Sequence, residues 1–376
     1  MTTAIPPGPL ADALSRFPLV PRKRALALPL DDRVKRLTDL AASADITGSL
    51  IEASGVHNLT ALLAADRSLP DLARSLCCNH AALYLAHRPL SAERACLALE
   101  PLVNLAHLLT RAGDGDAALA LLDQLANAVA TDSDAVLDGI PVTLAGLTAP
   151  GTPREDVNEW LDNIRVYDGA RALVRAGRWV DAYLHLKAAG DGGRRMFDGR
   201  QIGAIAVTTQ GHVDLALGVL ADAPTEEPWE DAVAAALTVV CTLIADRPCA
   251  EQTEAMLTAH GALTLHDGMP IFDVRLALSL IHTDLDQARR IFADTTKRVI
   301  ATPEGYSARD LLTHPRAQDL AQAERDELAA AMAAAGLGVR HLSTDLEDRI
   351  EAALTLATKV ITTALAATTT THKGCS

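Results

Sequence analysis

Four stretches of the chain align without a gap, and their fixed offsets restrict its fold more than any other feature. They are "GDGDAALALL" from Gly113, "GRWVDAYLHL" from Gly177, "GHVDLALGVL" from Gly211 and "TDLDQARRIF" from Thr283. Five residues after each start stands Ala118, Ala182, Ala216 or Ala288; nine after it stands Leu122, Leu186, Leu220 or Phe292. Seven residues before the start come Ala106, Ala170 and Ala204, with Leu276 breaking the rule. Small residues on both sides of a turn let two antiparallel helices approach closely, and the large residue fills the space between successive pairs. Glycine gives the turn its backbone freedom in three of the four cases. "GRWVDAYLHL" therefore reads as a joint between helices rather than as a catalytic motif. The starts lie 64, 34 and 72 residues apart, or about two, one and two repeats of some 34 residues.

Composition agrees with helices. Hydrophobic residues make up 49% of the chain but aromatic ones only 3%, so Ala and Leu supply the apolar surface. These are the strongest helix formers, whereas strands favour β-branched and aromatic side chains. The expected class is all-α.

The small-residue pattern resembles the tetratricopeptide repeat, and in its Ala-rich helical composition the chain is similar to actinomycete proteins of that type. The resemblance covers roughly residues 92–302, although the aromatic positions of the family pattern are mostly Leu or Val here. It implies a right-handed helical-hairpin solenoid whose concave face grips an extended peptide or a partner helix. Around it the sequence suggests a Pro-rich, partly basic arm at 1–30 and an N-terminal helical segment at 31–91, with helices near 32–43, 57–66 and 68–86. An irregular insertion rich in Pro, Gly, Thr and Asp is expected near 131–157, and 246–260 reads as a degenerate repeat. Capping helices at 303–367 follow, the last opened by a capping box of Thr344 and Glu347, before a disordered tail at 368–376.

A net charge of -14 argues against nucleic acid as a partner, although the first fifty residues carry seven basic side chains against five acidic ones. Six cysteines without regular spacing suggest a reducing, cytoplasmic setting. The N-terminus lacks a basic segment followed by an apolar run, and the longest uncharged stretch, 232–245, is too short to span a bilayer and reads as a buried helix. No membrane association is expected, and a homo-oligomer is compatible with the pattern.

Signatures of phosphate loops, zinc proteases and nucleophile elbows are missing. Cys241, Cys249, His260 and His266 have no zinc spacing, and neither does "CCNH" at 77–80. We therefore expect no catalytic residue, no metal and no cofactor, and a scaffold or adaptor whose ligand is a protein or peptide, with an acidic segment favoured. Two other classes fit less well. One is an enzyme or accessory factor of specialised metabolism with an all-helical cavity near His107 and Tyr167. The other is a transcriptional regulator that uses the arm and the helices of 32–66.

The repeat frame places Val103, His107, Thr110 and Arg111, then Tyr167, Arg171, Val174 and Arg175, then Gln201, Ile205 and Thr208 on exposed inner positions. His107, Arg111, Tyr167, Arg171, Arg175 and Gln201 are the candidate partner-binding residues among them. Arg194, Arg195 and Arg200 join them, because "AAGDGGRRMFDGR" at 188–200 offers a Gly-rich turn with guanidinium forks to an anion.

Overall fold

A computed structural model of the chain describes residues 8–191, 193–263, 269–280 and 286–373. The described residues form seventeen α-helices and one two-stranded hairpin. In chain order the helices are α1 (Pro9–Leu14), α2 (Leu30–Thr47), α3 (Leu50–Asp66), α4 (Pro70–Leu85), α5 (Ala92–Ala112), α6 (Gly115–Ala130), α7 (Thr152–Arg175), α8 (Trp179–Ala188) and α9 (Asp198–Thr209). They continue as α10 (Val213–Ala221), α11 (Pro228–Ile244), α12 (Ala250–Gly261), α13 (Pro270–Ser279), α14 (Asp286–Ala301), α15 (Gly305–Leu312), α16 (Gln322–Ala334) and α17 (Thr344–Lys373).

The aligned starts fall at helix joints. Gly113 ends α5, Gly177 separates α7 from α8 and Gly211 separates α9 from α10; each has a left-handed φ, of 88°, 75° and 88°. Thr283 lies outside the described residues. Two further joints share this conformation without glycine: Ser68 (φ 59°) between α3 and α4, and Asp246 (φ 53°) between α11 and α12. The degenerate stretch 246–260 is thus a joint followed by a helix. Ala118, Ala182, Ala216 and Ala288 are buried, as are Leu122, Leu186, Leu220 and Phe292. Burial at these positions lets neighbouring backbones approach and seats one large side chain in each gap.

The helices segregate into two compact units that cut across the sequence-based boundaries. One contains Pro29–Ala172 and Gly336–Ser376, the other Met1–Leu28 and Leu173–Ala335. The stretch 92–302 is divided at 172/173, and the C-terminal stretch at 335/336.

In the terminal-helix unit, α17 packs on α2 and α3, and α3, α4, α5 and α6 follow one another in contact. Ala353, Ala357, Val360, Ile361 and Leu365 form its buried stripe. The segment Thr344–Ala367 has the length and apolarity to cross a bilayer, and its buried stripe joins the core of this unit. Its cap is Ser343, one residue before the expected Thr344, because the Ser343 hydroxyl accepts the Leu346 N–H at 3.4 Å. The helix also runs on to Lys373, into the stretch expected to be a tail.

The insertion near 131–157 is ordered. Strands β1 (Ala135–Leu137) and β2 (Ile140–Val142) pair antiparallel across Asp138 and Gly139, both at positive φ. An Asp-Gly pair is what a two-residue hairpin turn demands. Beyond it, Asp134 accepts the Leu144 and Ala145 N–H groups, and Leu137, Val142, Leu144 and Leu147 are buried.

In the arm-bearing unit, α8 to α12 pack in sequence, α9 also meets α11, and α13 to α16 cluster around Leu278, Phe292, Leu311 and Leu328. The 232–245 stretch falls on α11 and its C-cap Ala245, and Val233, Ala236, Leu237 and Val240 are fully buried. Prolines do not exclude helix from the arm, since Pro9 opens α1 at the first position, where its missing N–H has no partner to lose. Ala13, Leu14, Phe17, Leu19 and Ala27 are buried, so the arm is part of this unit's core.

Candidate functional site

An extended backbone needs its N–H and C=O groups satisfied wherever it is buried. In the arm-bearing unit, the side chains of Gln201 and Glu304 do this at Leu19 and Ala27 of the arm. Gln201, fully buried on α9, accepts the Leu19 N–H on Oε1 at 2.7 Å. Its Nε2 donates to the Leu19 carbonyl at 2.8 Å and to the Met196 carbonyl at 2.7 Å. Further along, the Ala27 N–H donates to Glu304 Oε1 at 2.7 Å, and the Gly305 N–H donates to the Ala27 carbonyl at 2.8 Å. Glu304 caps α15 and also accepts from Tyr306, Ser307 and the Ser307 hydroxyl, so its buried carboxylate is fully engaged. Between the clamps Arg22 pairs with the buried Asp198 at the start of α9, at 2.8 Å, and α1 lies against α11 and α13. The arm therefore runs as an internal peptide across α9, α11, α13 and α15.

The terminal-helix unit presents polar groups on α3, α5 and α7. Glu100 accepts from Asn58 at 3.2 Å, Asn58 from Asn104 at 3.1 Å, and Asn104 Oδ1 faces His107 Nδ1 at 3.3 Å. His107 Nε2 meets Asp168 Oδ2 at 2.9 Å, and Arg171 meets the other oxygen of Asp168. Burial pushes the Asp168 carboxyl up, but the hydrogen bond and charge of His107, joined by Arg171, outweigh burial and hold it below the usual carboxylate range. Glu100 goes the other way: burial raises it, and the bond from Asn58 offsets only part. With both ring nitrogens of His107 directed at Asp168 and Asn104, neither is turned toward a nucleophilic hydroxyl or thiol.

The candidate residues divide between the units. His107 and Arg171 converge on Asp168, a residue the sequence reading missed, and Tyr167 is exposed beside it on α7. Arg111 instead joins Arg33 on the buried Asp66, at 2.9 and 2.6 Å. Arg175, at the end of α7, and Arg194 are exposed. Arg195 is engaged by Glu226, Glu227 and Glu230 and lies 5.0 Å from the Phe197 ring centroid. Arg200 donates to the carbonyls of Gly193, Arg194 and Val219, so it fastens the Gly-rich loop instead of presenting a fork to an anion. A Cβ on Gly193 would stand 2.5 Å from the Arg200 backbone N, which explains the glycine.

Five positions expected to be exposed are buried: Val103, Val174, Gln201, Ile205 and Thr208. The turn glycines fix where a helix begins but not which of its faces is covered. On a helix of 3.6 residues per turn, an error of one residue rotates a face by about 100°. At Gln201, moreover, the covering arm comes from 182 residues away.

His57 and His80 form a stacked pair, 4.7 Å between centroids, in the core of the terminal-helix unit. Burial lowers them to about 4 and about 3, respectively, with the proximity of His57 adding to the effect at His80. Among the described residues no three His, Cys, Asp or Glu side chains are grouped to hold a metal ion. His266, weighed above, lies outside them.

The class these features define is an all-α protein whose N-terminal arm packs against helices of its own chain. Comparison with known proteins finds no family model, no curated protein and no solved structure that matches the chain.

Proposed function

We propose that the chain is a non-catalytic interaction scaffold of tetratricopeptide-like hairpins that binds an extended polypeptide along α3, α5 and α7. One observation carries the reading: the fold already holds a non-helical segment of its own, residues 17–28, by side-chain bonds to backbone groups at Leu19 and Ala27. Asn58, Asn104 and His107 offer the same kind of groups on helices that open successive hairpins, half-buried or exposed. The joints at Ser68, Gly113, Gly177, Gly211 and Asp246 support the repeat architecture, as does the contact of α9 with both α10 and α11.

Charge selection for an acidic guest receives less support, because Arg111 and Arg171 each lean on a carboxylate. Recognition through the guest's backbone fits better. For the regulator reading, α2 and α3 bury part of their surface under α17, which leaves less of it for DNA. The test is affinity capture from the native host with the wild type and an Asn104→Ala, Asp168→Asn double variant, with a photo-cross-linker at Tyr167. The reading expects one polypeptide adduct that the double variant loses; a prey held equally by both proteins excludes this face.

A further inference from the structure

The chain passes from one compact unit to the other between Leu28 and Pro29. Before that point the arm is fastened as far as Ala27, whose N–H donates to Glu304 Oε1 at 2.7 Å and whose carbonyl accepts the Gly305 N–H at 2.8 Å. After it α2 opens at Leu30, with Pro29 as its N-cap at φ -49° and ψ 145°. Two residues therefore join the last clamp of the arm to a helix of the other unit, and one of them is proline. Proline fixes its own φ and biases Leu28 before it toward extended backbone. Straightening so stiff a connector costs little conformational entropy, and a released arm has few conformations in which it meets its own groove again.

The contacts that hold the arm do not depend on which copy supplies it. Gln201 reads the backbone of Leu19, Arg22 pairs with the buried Asp198 at 2.8 Å, and Ala13, Leu14 and Phe17 are buried. An identical arm from a second copy satisfies each of these contacts. Charge favours its approach, because residues 1–28 carry four basic side chains against one acidic while the whole chain stands at -14. Exchange of one element between identical copies is a low-cost route to a dimer. Every contact given up within one chain is regained in the other, and concentration drives the association.

We propose that the arm is exchanged between two copies of this chain, the arm of each lying across α9, α11, α13 and α15 of the other. The occupant of that surface is thus a basic, proline-interrupted segment, read by its backbone at Leu19 and Ala27. The proposal does not rest on the peptide reading, whose face on α3, α5 and α7 involves none of these residues.

The test uses two full-length variants, Arg22→Asp and Asp198→Arg. Alone, each sets like charges together wherever its arm docks. Mixed, they restore the ion pair only by exchange: the arm of the first meets the groove of the second, and the unaltered Arg22 of the second meets the unaltered Asp198 of the first. Native mass spectrometry of the equimolar mixture, with one chain isotopically labelled, should show the mixed dimer about tenfold over either homodimer, the scale of a charge-assisted hydrogen bond. Amide exchange at Leu19 and Ala27, fast in each variant alone, should slow on mixing. Should a variant fold poorly, sedimentation of the wild type decides. Its dimer fraction must rise with concentration and be lost when the chain is refolded with an excess of synthetic peptide 9–28. Well-folded variants that mix without a joint dimer, a wild type that stays monomeric throughout, or a wild-type dimer indifferent to the peptide overturns the proposal.

Discussion

Gln201 reads Leu19 with both ends of its amide, accepting the N–H and donating to the carbonyl of a residue 182 positions away. Leucine at position 201 would keep the volume and lose every bond. The buried backbone groups of Leu19 and the Met196 carbonyl would then be unsatisfied, at about 1–3 kcal/mol for each group. We expect Gln201→Leu to destabilise the arm-bearing unit by roughly 3 kcal/mol in chemical denaturation, after partial relaxation. Amide exchange at Leu19 should accelerate with it. Unchanged exchange there would mean that packing of Leu14 and Phe17, not the amide, holds the arm.

The second clamp has a steric condition. At Gly305 a Cβ would lie 2.7 Å from the Ala335 Cβ and 3.1 Å from the Ala27 carbonyl oxygen, so a methyl group must displace Ala335 and press on the arm at Ala27. Gly305→Ala should cost about 1–3 kcal/mol, the usual range for overpacking. The informative readout is local: protection of the Ala27 amide falls before that of α15. Gly218→Ala is the control, since a Cβ there meets nothing within 4 Å.

Little of either clamp could be read from the sequence. The repeat frame places Gln201 on an exposed groove position, whereas its role depends on Leu19, a partner distant along the chain. Asp168 went unnoticed because a carboxylate on a helix normally reads as solvated surface, and only the approach of α5 to α7 brings His107 to it. Local signals fared better. The alanine and leucine offsets correspond to buried positions, and Gly113, Gly177 and Gly211 correspond to joints. Where a joint uses Ser68 or Asp246 the glycine signal vanishes, and 246–260 looked degenerate. The Asp138-Gly139 pair did carry a hairpin signal, but the polar residues around it suggested an irregular loop.

Burial of the histidine pair predicts acid sensitivity of the terminal-helix unit. His57 and His80 are lowered from 6.5 to about 4 and about 3, so between those values and 6.5 the unfolded chain binds more protons than the folded one. Stability therefore rises with pH through this window and is lost progressively as pH falls below 6.5. Neither ring nitrogen of His80 has a hydrogen-bond partner among the described residues. An apolar ring should replace it without orphaning another group. We expect His80→Phe to move the acid midpoint of unfolding to lower pH and to hold or raise stability at pH 7 by about 1 kcal/mol, the gain from removing an unsatisfied buried polar group. An unchanged acid midpoint would assign the transition to carboxylates instead.

Asp246 and Gly113 occupy equivalent joints with opposite chemistry. Both residues adopt left-handed backbone, at φ 53° and 88°, but Asp246 carries a Cβ there. For an L residue that region costs about 1–2 kcal/mol, less for Asp, which tolerates it best after Asn. Glycine has no such penalty, although its unfolded state is more entropic by a fraction of that amount. Asp246→Gly should therefore leave stability unchanged or raise it by about 0.5 kcal/mol, whereas Gly113→Ala should lower it by about 1 kcal/mol, although nothing lies within 4 Å of the added Cβ. Thermal denaturation of the two variants separates conformational strain from packing, because neither substitution fills or empties a cavity. Equal losses at both positions would show that Asp246 contributes something beyond backbone geometry, and that its joint is built differently from the glycine ones.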